Sequence, residues 1–227
     1  MERVRFIALP GFHGDDSLFS SLGEARPAWA ELIPVSLPDA VLDYEALADD
    51  IAAKVQRNGG HLVLLAESFS GPLAVLLATR LEVRALVLVA TFVSSPIPRL
   101  LSWLPWPLVA WIKPPLWLIQ FLLTGGDRQL AIQVRTSMLG LKPRVLAARF
   151  RALSNVDVQS QLRQVACRLL YIQATEDRVV SPKHYREIAA ARHDVEYKPV
   201  NAPHLVLQSA PDEVWNLLAE FEVTQEP

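Results

Sequence analysis

The sequence lacks most of the features that would mark it as secreted, metal-chelating or nucleic-acid-binding. It has one cysteine, Cys167, so an intramolecular disulfide framework and a cysteine-built zinc site are both excluded. That cysteine usage is compatible with a reducing cytoplasm, the compartment expected here. Neither sign of charge is in surplus. Twenty-two Lys and Arg against 24 Asp and Glu give a formal net charge of -2, which argues against nucleic acid, whose binders usually carry a basic excess. The opening residues, Met1-Glu2-Arg3-Val4-Arg5, lack the apolar stretch of a secretory signal. No internal repeat or low-complexity linker interrupts the chain. What remains is 227 residues, 51% apolar and 20% charged, a length and composition that suit one globular domain with a full core.

One long apolar run is present. From Leu100 to Leu123 the chain is broken only by Ser102, Lys113 and Gln120 among polar residues, and about 20 such residues would suffice to span a bilayer. Four prolines in it, Pro105, Pro107, Pro114 and Pro115, each remove a helical hydrogen bond that lipid cannot replace. The expectation is therefore a lid over an apolar pocket.

Elsewhere short apolar runs alternate with helical periodicity. Val4 to Leu9 ends at Pro10-Gly11 and reads as a buried strand; Leu32 to Val35 is weaker, and Pro34 places it at an edge. Asp43 reads as an N-cap before Leu47, Ile51 and Val55, a stripe that ends at Asn58-Gly59-Gly60. His61 to Ala66 and Arg84 to Ala90 are continuous apolar runs, as expected of central parallel strands covered on both faces. A helix over about 69–80 lies between them. Strand character resumes over 168–173, followed by a helix over 182–191, a strand over 195–200 and a terminal helix over 210–221. This pattern predicts an α/β fold with a doubly wound, mostly parallel sheet from residues 1–91 and 161–227, carrying a helical insert over 92–160.

The informative segment is Ala66-Glu67-Ser68-Phe69-Ser70-Gly71. A buried strand turns sharply into a helix with a serine at the corner and small residues two before and two after it. Such an elbow forces its corner residue into a strained backbone, and the crowding of strand against helix demands small neighbours. Read from these residues alone, Ser68 is either the exposed nucleophile of an elbow or an ordinary helix N-cap. A nucleophilic serine needs a base, and His204 stands in the loop Asn201-Ala202-Pro203-His204-Leu205 between the last strand and the last helix. The base needs a carboxylate to fix its tautomer. Asp177, in Thr175-Glu176-Asp177-Arg178, follows a strand and precedes a helix, with Glu176 as the reserve candidate.

This arrangement resembles the α/β-hydrolase family, whose elbow reads Gly-x-Ser-x-Gly; here Ala66 and Ser70 stand in the two glycine places. The chain order Ser68, Asp177, His204 is the order of that family. The resemblance implies a catalytic triad of these three residues and an oxyanion hole built from the backbone N–H groups of Phe12 and Phe69. Phe12 lies in Pro10-Gly11-Phe12-His13-Gly14, where the family often reads His-Gly-aromatic and this chain has Pro10 in place of the histidine. His13 either lines the pocket or has a structural or solvent-facing role, whereas His184 and His193 are read as flanking surface helix ends. Asp15 and Asp16 are expected to be helix caps. No metal or organic cofactor is implied.

The insert carries Trp103, Trp106, Trp111 and Trp117 among many leucines and isoleucines. Trp103, Trp106 and Trp111 are the candidates for contacting substrate, although packing of lid against sheet explains most such residues. An apolar lid predicts an ester with an apolar acyl or alkyl portion, because burial contributes about 0.8 kcal/mol per CH₂. Farther on, Arg128, Arg135, Lys142, Arg144, Arg149, Arg151 and Arg163 form a basic run, which is either a solvated helix face or an attractor for an acidic acyl-carrier protein or an anionic lipid surface. The arginines resemble those of pimeloyl-acyl-carrier-protein methyl-ester esterases. The expected function is thus a carboxylesterase-like serine hydrolase, with an acyl-carrier methyl-ester esterase or acyl thioesterase as the alternative. A non-catalytic ligand-binding member of the fold and a peripheral membrane protein anchored through the insert are readings of other classes.

Overall fold

The computed structural model describes residues 3–55, 62–97 and 105–223. Six parallel strands form one sheet: β1 (Val4–Leu9), β2 (Ala30–Pro34), β3 (Leu62–Glu67), β4 (Ala85–Val89), β5 (Arg168–Ala174) and β6 (Glu196–Val200), in the order β2-β1-β3-β4-β5-β6. Every residue of β3 and β4 is buried, as their uninterrupted apolar sequence requires of strands covered on both faces. Pro34 does end an edge strand, pairing with Ala8 of β1.

Alternate residues of each central strand supply two separate cores. Ile7, Leu64, Leu86, Leu88 and Tyr171 pack on one face with Leu47 and Ile51 of α2 (Tyr44–Val55), Leu73 and Leu77 of α3 (Ser70–Ala78) and Ile188 of α9 (Lys183–Ala191). Phe6, Val63, Leu65, Val87 and Ile172 pack on the other with Leu22 of α1 (Ser20–Glu24), Val206 and Leu207 of α10 (Val206–Ser209), and Val214 and Trp215 of α11 (Pro211–Val223). The period of two along a strand thus becomes a three-layer sandwich. Asp43 caps α2, its Oδ1 accepting from the Ala46 N–H at 2.9 Å. The expected stop at Asn58-Gly59-Gly60 lies outside the described residues.

Between β4 and β5 the chain forms α4 (Trp106–Val109), α5 (Leu116–Leu122), α6 (Arg128–Gly140), α7 (Pro143–Asn155) and α8 (Gln159–Leu162). The first two are short: Pro105 and Pro115 stand at their N-caps, and Pro114-Pro115 keep α4 from running on into α5. The segment leaves and rejoins the sheet at one place, where the Val158 N–H donates to the Val93 carbonyl at 2.8 Å and Ser94 bridges Asp157. No helix among the described residues is long and apolar enough to cross a membrane.

The strand order reverses between β1 and β3, since the chain first moves outward to β2 and then returns. Loops leaving the carboxyl ends of β1 and β3 diverge there and open a crevice, where ligands of open α/β sheets bind.

Candidate active site

Ser68 sits at that crevice, one residue past β3. Its φ is 54°, a left-handed backbone rarely adopted by residues other than glycine. The surroundings over-determine it. The Ser68 N–H donates to the Val89 carbonyl at 2.9 Å, while its own carbonyl accepts from the Gly71 N–H and from the Thr91 hydroxyl. Thr91 lies so close to α3 that a Cβ on Gly71 would overlap its side chain. The elbow therefore needs its glycine one place later than the family pattern. Ser70, in the family's glycine position, donates its hydroxyl to the Pro10 carbonyl and so ties the elbow to the loop after β1.

Asp177 and His204 arrive from the ends of β5 and β6. The Asp177 Oδ1 accepts from the N–H groups of Val179 and Val180 at 2.7 and 2.9 Å, which holds its Oδ2 2.8 Å from the His204 Nδ1. The His204 Nε2 lies 2.8 Å from the Ser68 Oγ. A carboxylate can only accept, so Nδ1 carries the proton and Nε2 is left to accept from the hydroxyl. Both ionisable side chains are buried. Burial alone would lower the His204 pKa, but the charge of Asp177 and its hydrogen bond, with a contribution from Glu67, leave it raised above the ordinary imidazole value. Glu176 is exposed and takes no part in this chain of contacts.

Phe12 and Phe69 flank the hydroxyl, their rings edge-on with centroids 5.8 Å apart. Neither backbone N–H has a hydrogen-bond partner among the described residues. Their carbonyls, by contrast, are both pinned by buried side chains: the Tyr44 hydroxyl donates to Phe69 at 2.8 Å and the Arg149 Nη1 to Phe12 at 2.6 Å. The peptide planes that carry the two N–H groups are held through the preceding carbonyls: Gly11 accepts from the Gly14 N–H at 3.0 Å, and Ser68 from the Gly71 N–H and the Thr91 hydroxyl. Arg149 was expected within a solvent-facing basic run, and the structure corrects this: it is 2% exposed, and burial draws its pKa down to about 10. It reaches the loop across Gly14, whose φ of 73° and lack of a Cβ leave room for the guanidinium. Arg128, Arg144, Arg151 and Arg163 do face solvent.

Ser68 opens into a cavity of about 300 Å³. Gly11, Phe12 and Phe69 form its floor with Ser68 and His204, while Leu118, Leu122, Val134, Met138 and Phe150 form the opposite wall from α5, α6 and α7. His13 lines it too. It is buried, and burial, with Arg149 and His204 nearby, lowers its pKa to about 4 against the opposing pull of Asp15. Trp106 does not line the cavity: it is stacked on the back of Phe150, with centroids 4.8 Å apart and planes 9° from parallel. Trp111 is 73% exposed and points away. Trp103 lies outside the described residues. The tryptophan expectations thus fail for the two that can be placed, because α4 packs on α7 and not on the space above Ser68. His184 corrects another expectation. It is buried against Phe92 and faces Glu187, its Nδ1 3.2 Å from the carboxylate. Asp15 caps the turn that follows it, accepting from the Ser17 N–H at 2.9 Å.

One residue escaped the sequence reading. Glu67 precedes the serine and is fully buried, its Oε1 accepting from the Leu207 N–H at 3.0 Å. Burial raises its pKa to about 7, opposed by that amide, by His204 and by Gln208. An acidic residue ending an otherwise apolar run was the available signal. Among the described residues no group of three His, Cys, Asp or Glu is placed to hold a metal ion.

A model of the alpha/beta hydrolase family matches residues 2–217. No curated protein is similar enough in sequence to count as a relative. Several solved structures share the fold at low identity. A thermophilic esterase from Thermogutta terrifontis is 19% identical with a TM-score of 0.80, over 98% of this chain and 90% of that one. An enol-lactonase from Burkholderia xenovorans is 16% identical with a TM-score of 0.81, over 98% and 92%. A hydrolase from Oleispira antarctica is 13% identical with a TM-score of 0.79, over 100% and 92%.

Proposed function

The chain belongs to the alpha/beta hydrolase family, and from that premise we propose that it is a serine hydrolase cleaving a small carboxylic ester with an apolar acyl or alkyl portion. The observation that carries this reading is the unbroken line of contacts from Asp177 through His204 to Ser68, ending at the floor of an apolar cavity. In the proposed cycle His204 accepts the Ser68 proton at Nε2 as Oγ attacks the ester carbonyl. The developing oxyanion takes hydrogen bonds from the Phe12 and Phe69 amides, whose unpaired state is what such a hole requires. The imidazolium, stabilised by Asp177, returns its proton to the departing alkoxide. Water then attacks the acyl-enzyme with His204 as base, releasing the acid and restoring Ser68. No step calls for a metal or organic cofactor.

The helical segment, with bounds near 92 and 160, acts as the lid of this site and sets the substrate's size. A volume near 300 Å³ stands at the small end of ligand pockets, about 300–1,000 Å³, so short chains are favoured. The lactonase and esterase among the structural neighbours are compatible with ester chemistry in this fold.

Labelling with a chain-length series of alkyl fluorophosphonates, followed by mapping of the adduct, tests the reading. Modification at Ser68, fastest for short chains, is expected, together with hydrolysis of p-nitrophenyl butyrate that Ser68→Ala abolishes. Unlabelled Ser68, or equal hydrolysis by Ser68→Ala, defeats it. Ligand binding without turnover of any ester would favour a receptor on the same fold.

A further inference from the structure

Within the cavity wall the side chains of Ser68, His204 and His13 are the polar ones among the described residues; the rest are apolar. The first two are engaged with each other. His13 is not committed in this way. Its Nδ1 accepts a hydrogen bond from the Asp15 backbone N–H at 3.1 Å. A backbone N–H can only donate, so Nδ1 bears no proton, and the neutral ring must carry its hydrogen on Nε2. That Nε2 is buried and has no hydrogen-bond partner among the described residues. Gly11 separates it from the serine: a Cβ built on Gly11 would stand 3.5 Å from the His13 Nε2 and 3.7 Å from the Ser68 Cβ.

A buried donor without a partner is costly, and such a group beside a reacting centre is expected to meet an acceptor on the substrate. Resting on the hydrolase reading, we propose that His13 is a specificity-determining residue whose Nε2–H donates to an uncharged oxygen of the substrate close to the scissile carbonyl, such as an ether, ketone or hydroxyl oxygen. The favoured ester is therefore not a plain hydrocarbon chain. Its bulk fills the leucine-rich wall, and one further oxygen near the carbonyl faces His13. An ionised carboxylate suits this place less well, because the imidazole is held neutral and no Lys or Arg among the described residues lines the cavity; Arg149, whose charge reaches His13, is engaged with the Phe12 carbonyl outside it. A site built to donate to a substrate oxygen also discriminates against the analogue that lacks it, more strongly than an apolar pocket discriminates one methylene from another.

Two pairs of near-isosteric esters test this. On the acyl side, p-nitrophenyl methoxyacetate and p-nitrophenyl butyrate differ by an oxygen in place of a methylene; on the alcohol side, 2-methoxyethyl butyrate and butyl butyrate differ in the same way. His13→Asn retains an acceptor for the Asp15 N–H and removes the Nε2 donor, whereas His13→Gln extends an N–H donor to about the Nε2 position. In one pair, the ratio of kcat/KM for the oxygen-bearing ester to that for its hydrocarbon partner is expected to fall about three- to tenfold in His13→Asn and to recover in part in His13→Gln. Damage to the fold lowers all rates together and does not move such a ratio. In wild type, ¹⁵N spectra of the imidazole are expected to show the Nε2–H tautomer of His13 between pH 6 and 8. Ratios unchanged in both pairs, or an Nδ1–H tautomer, overturn the inference while leaving ester hydrolysis standing. Absence of turnover of all four esters by wild type, with Ser68 unlabelled, removes the hydrolase reading itself and the substrate inference with it.

Discussion

The carboxyl edge of the sheet and the helical segment facing it are built on opposite terms. At the sheet edge polar groups are buried and interlocked: Ser68, Asp177 and His204 share hydrogen bonds, Glu67 holds the Leu207 amide, and Ser70, Tyr44 and Arg149 each hold a carbonyl beside the crevice. In the helical segment apolar groups face outward. Leu108, Trp111, Ile112, Trp117 and Phe121 are all more than half exposed, while their neighbours Ile119, Leu122 and Trp106 turn inward. Preorganised dipoles are costly to bury and must be fixed to be useful. An apolar wall needs only to exclude water and can tolerate much looser definition. Under the proposed function the difference is a division of labour, with chemistry on the interlocked sheet edge and substrate size on the helices.

Asp177→Asn attacks the rigid side hardest. The amide presents either an acceptor or a donor to the His204 Nδ1 and loses the charge that stabilises the imidazolium. A fall in kcat of about 10³–10⁴-fold is expected, with the thermal midpoint moved by only a few degrees. A fall below tenfold in steady-state assays would show that the chain of contacts is not the seat of catalysis.

Glu67→Gln sharpens the contrast through pH. Because the folded-state pKa of Glu67 is raised to about 7 from an ordinary value of 4.5, its contribution to stability is fully present below about pH 4.5 and is lost as pH rises through 7. A shift of that size is worth about 3 kcal/mol. The Gln variant lacks this proton, so its stability relative to wild type, measured by urea unfolding, is expected to improve by roughly that amount between pH 4 and 8. Its kinetic effect follows from the same charge. Ionised Glu67 helps to raise the His204 pKa, and catalysis needs His204 neutral; the acid limb of kcat/KM should therefore move to lower pH in the variant. An unmoved limb would mean that the buried carboxylate does not sense the imidazole.

Trp111→Ser is expected to do least. At 73% exposure, its removal should change stability by no more than about 0.5 kcal/mol and leave turnover of p-nitrophenyl butyrate within twofold. Phe150→Ala, on the same helical layer but in the cavity wall, should instead broaden the accepted chain length. Equal effects of the two on the chain-length profile would break the distinction between inner and outer faces of the segment.

The strands were readable because burial on both faces leaves an uninterrupted apolar run, as in Leu62 to Ala66, and because turns at Pro10-Gly11 and Asn201-Ala202-Pro203 punctuate them. The positions of Ser68, Asp177 and His204 could be read for the same reason: each lies in the turn after a recognisable strand, and parallel strands bring all their carboxyl ends to one edge. The facing of the tryptophans could not be read, since α4 and α5 are only one and two turns long and leave no helical period to separate inside from outside. Arg149 looked like one more cation among seven. Only the approach of α7 to the loop after β1, over a glycine without a Cβ, turns it inward onto the Phe12 carbonyl.

The succession of strands and helices along the chain, and the places of Ser68, Asp177 and His204 in the turns after strands, were thus legible in local sequence, where polarity and turn chemistry act over a few residues. Tertiary structure alone decided which buried groups stand beside one another across 44 to 140 residues: the carboxylate of Glu67 against the Leu207 amide, the uncommitted Nε2 of His13 near Ser68, and Trp106 behind Phe150. Burial and electrostatic environment belong to the packed assembly, and no window of sequence contains them.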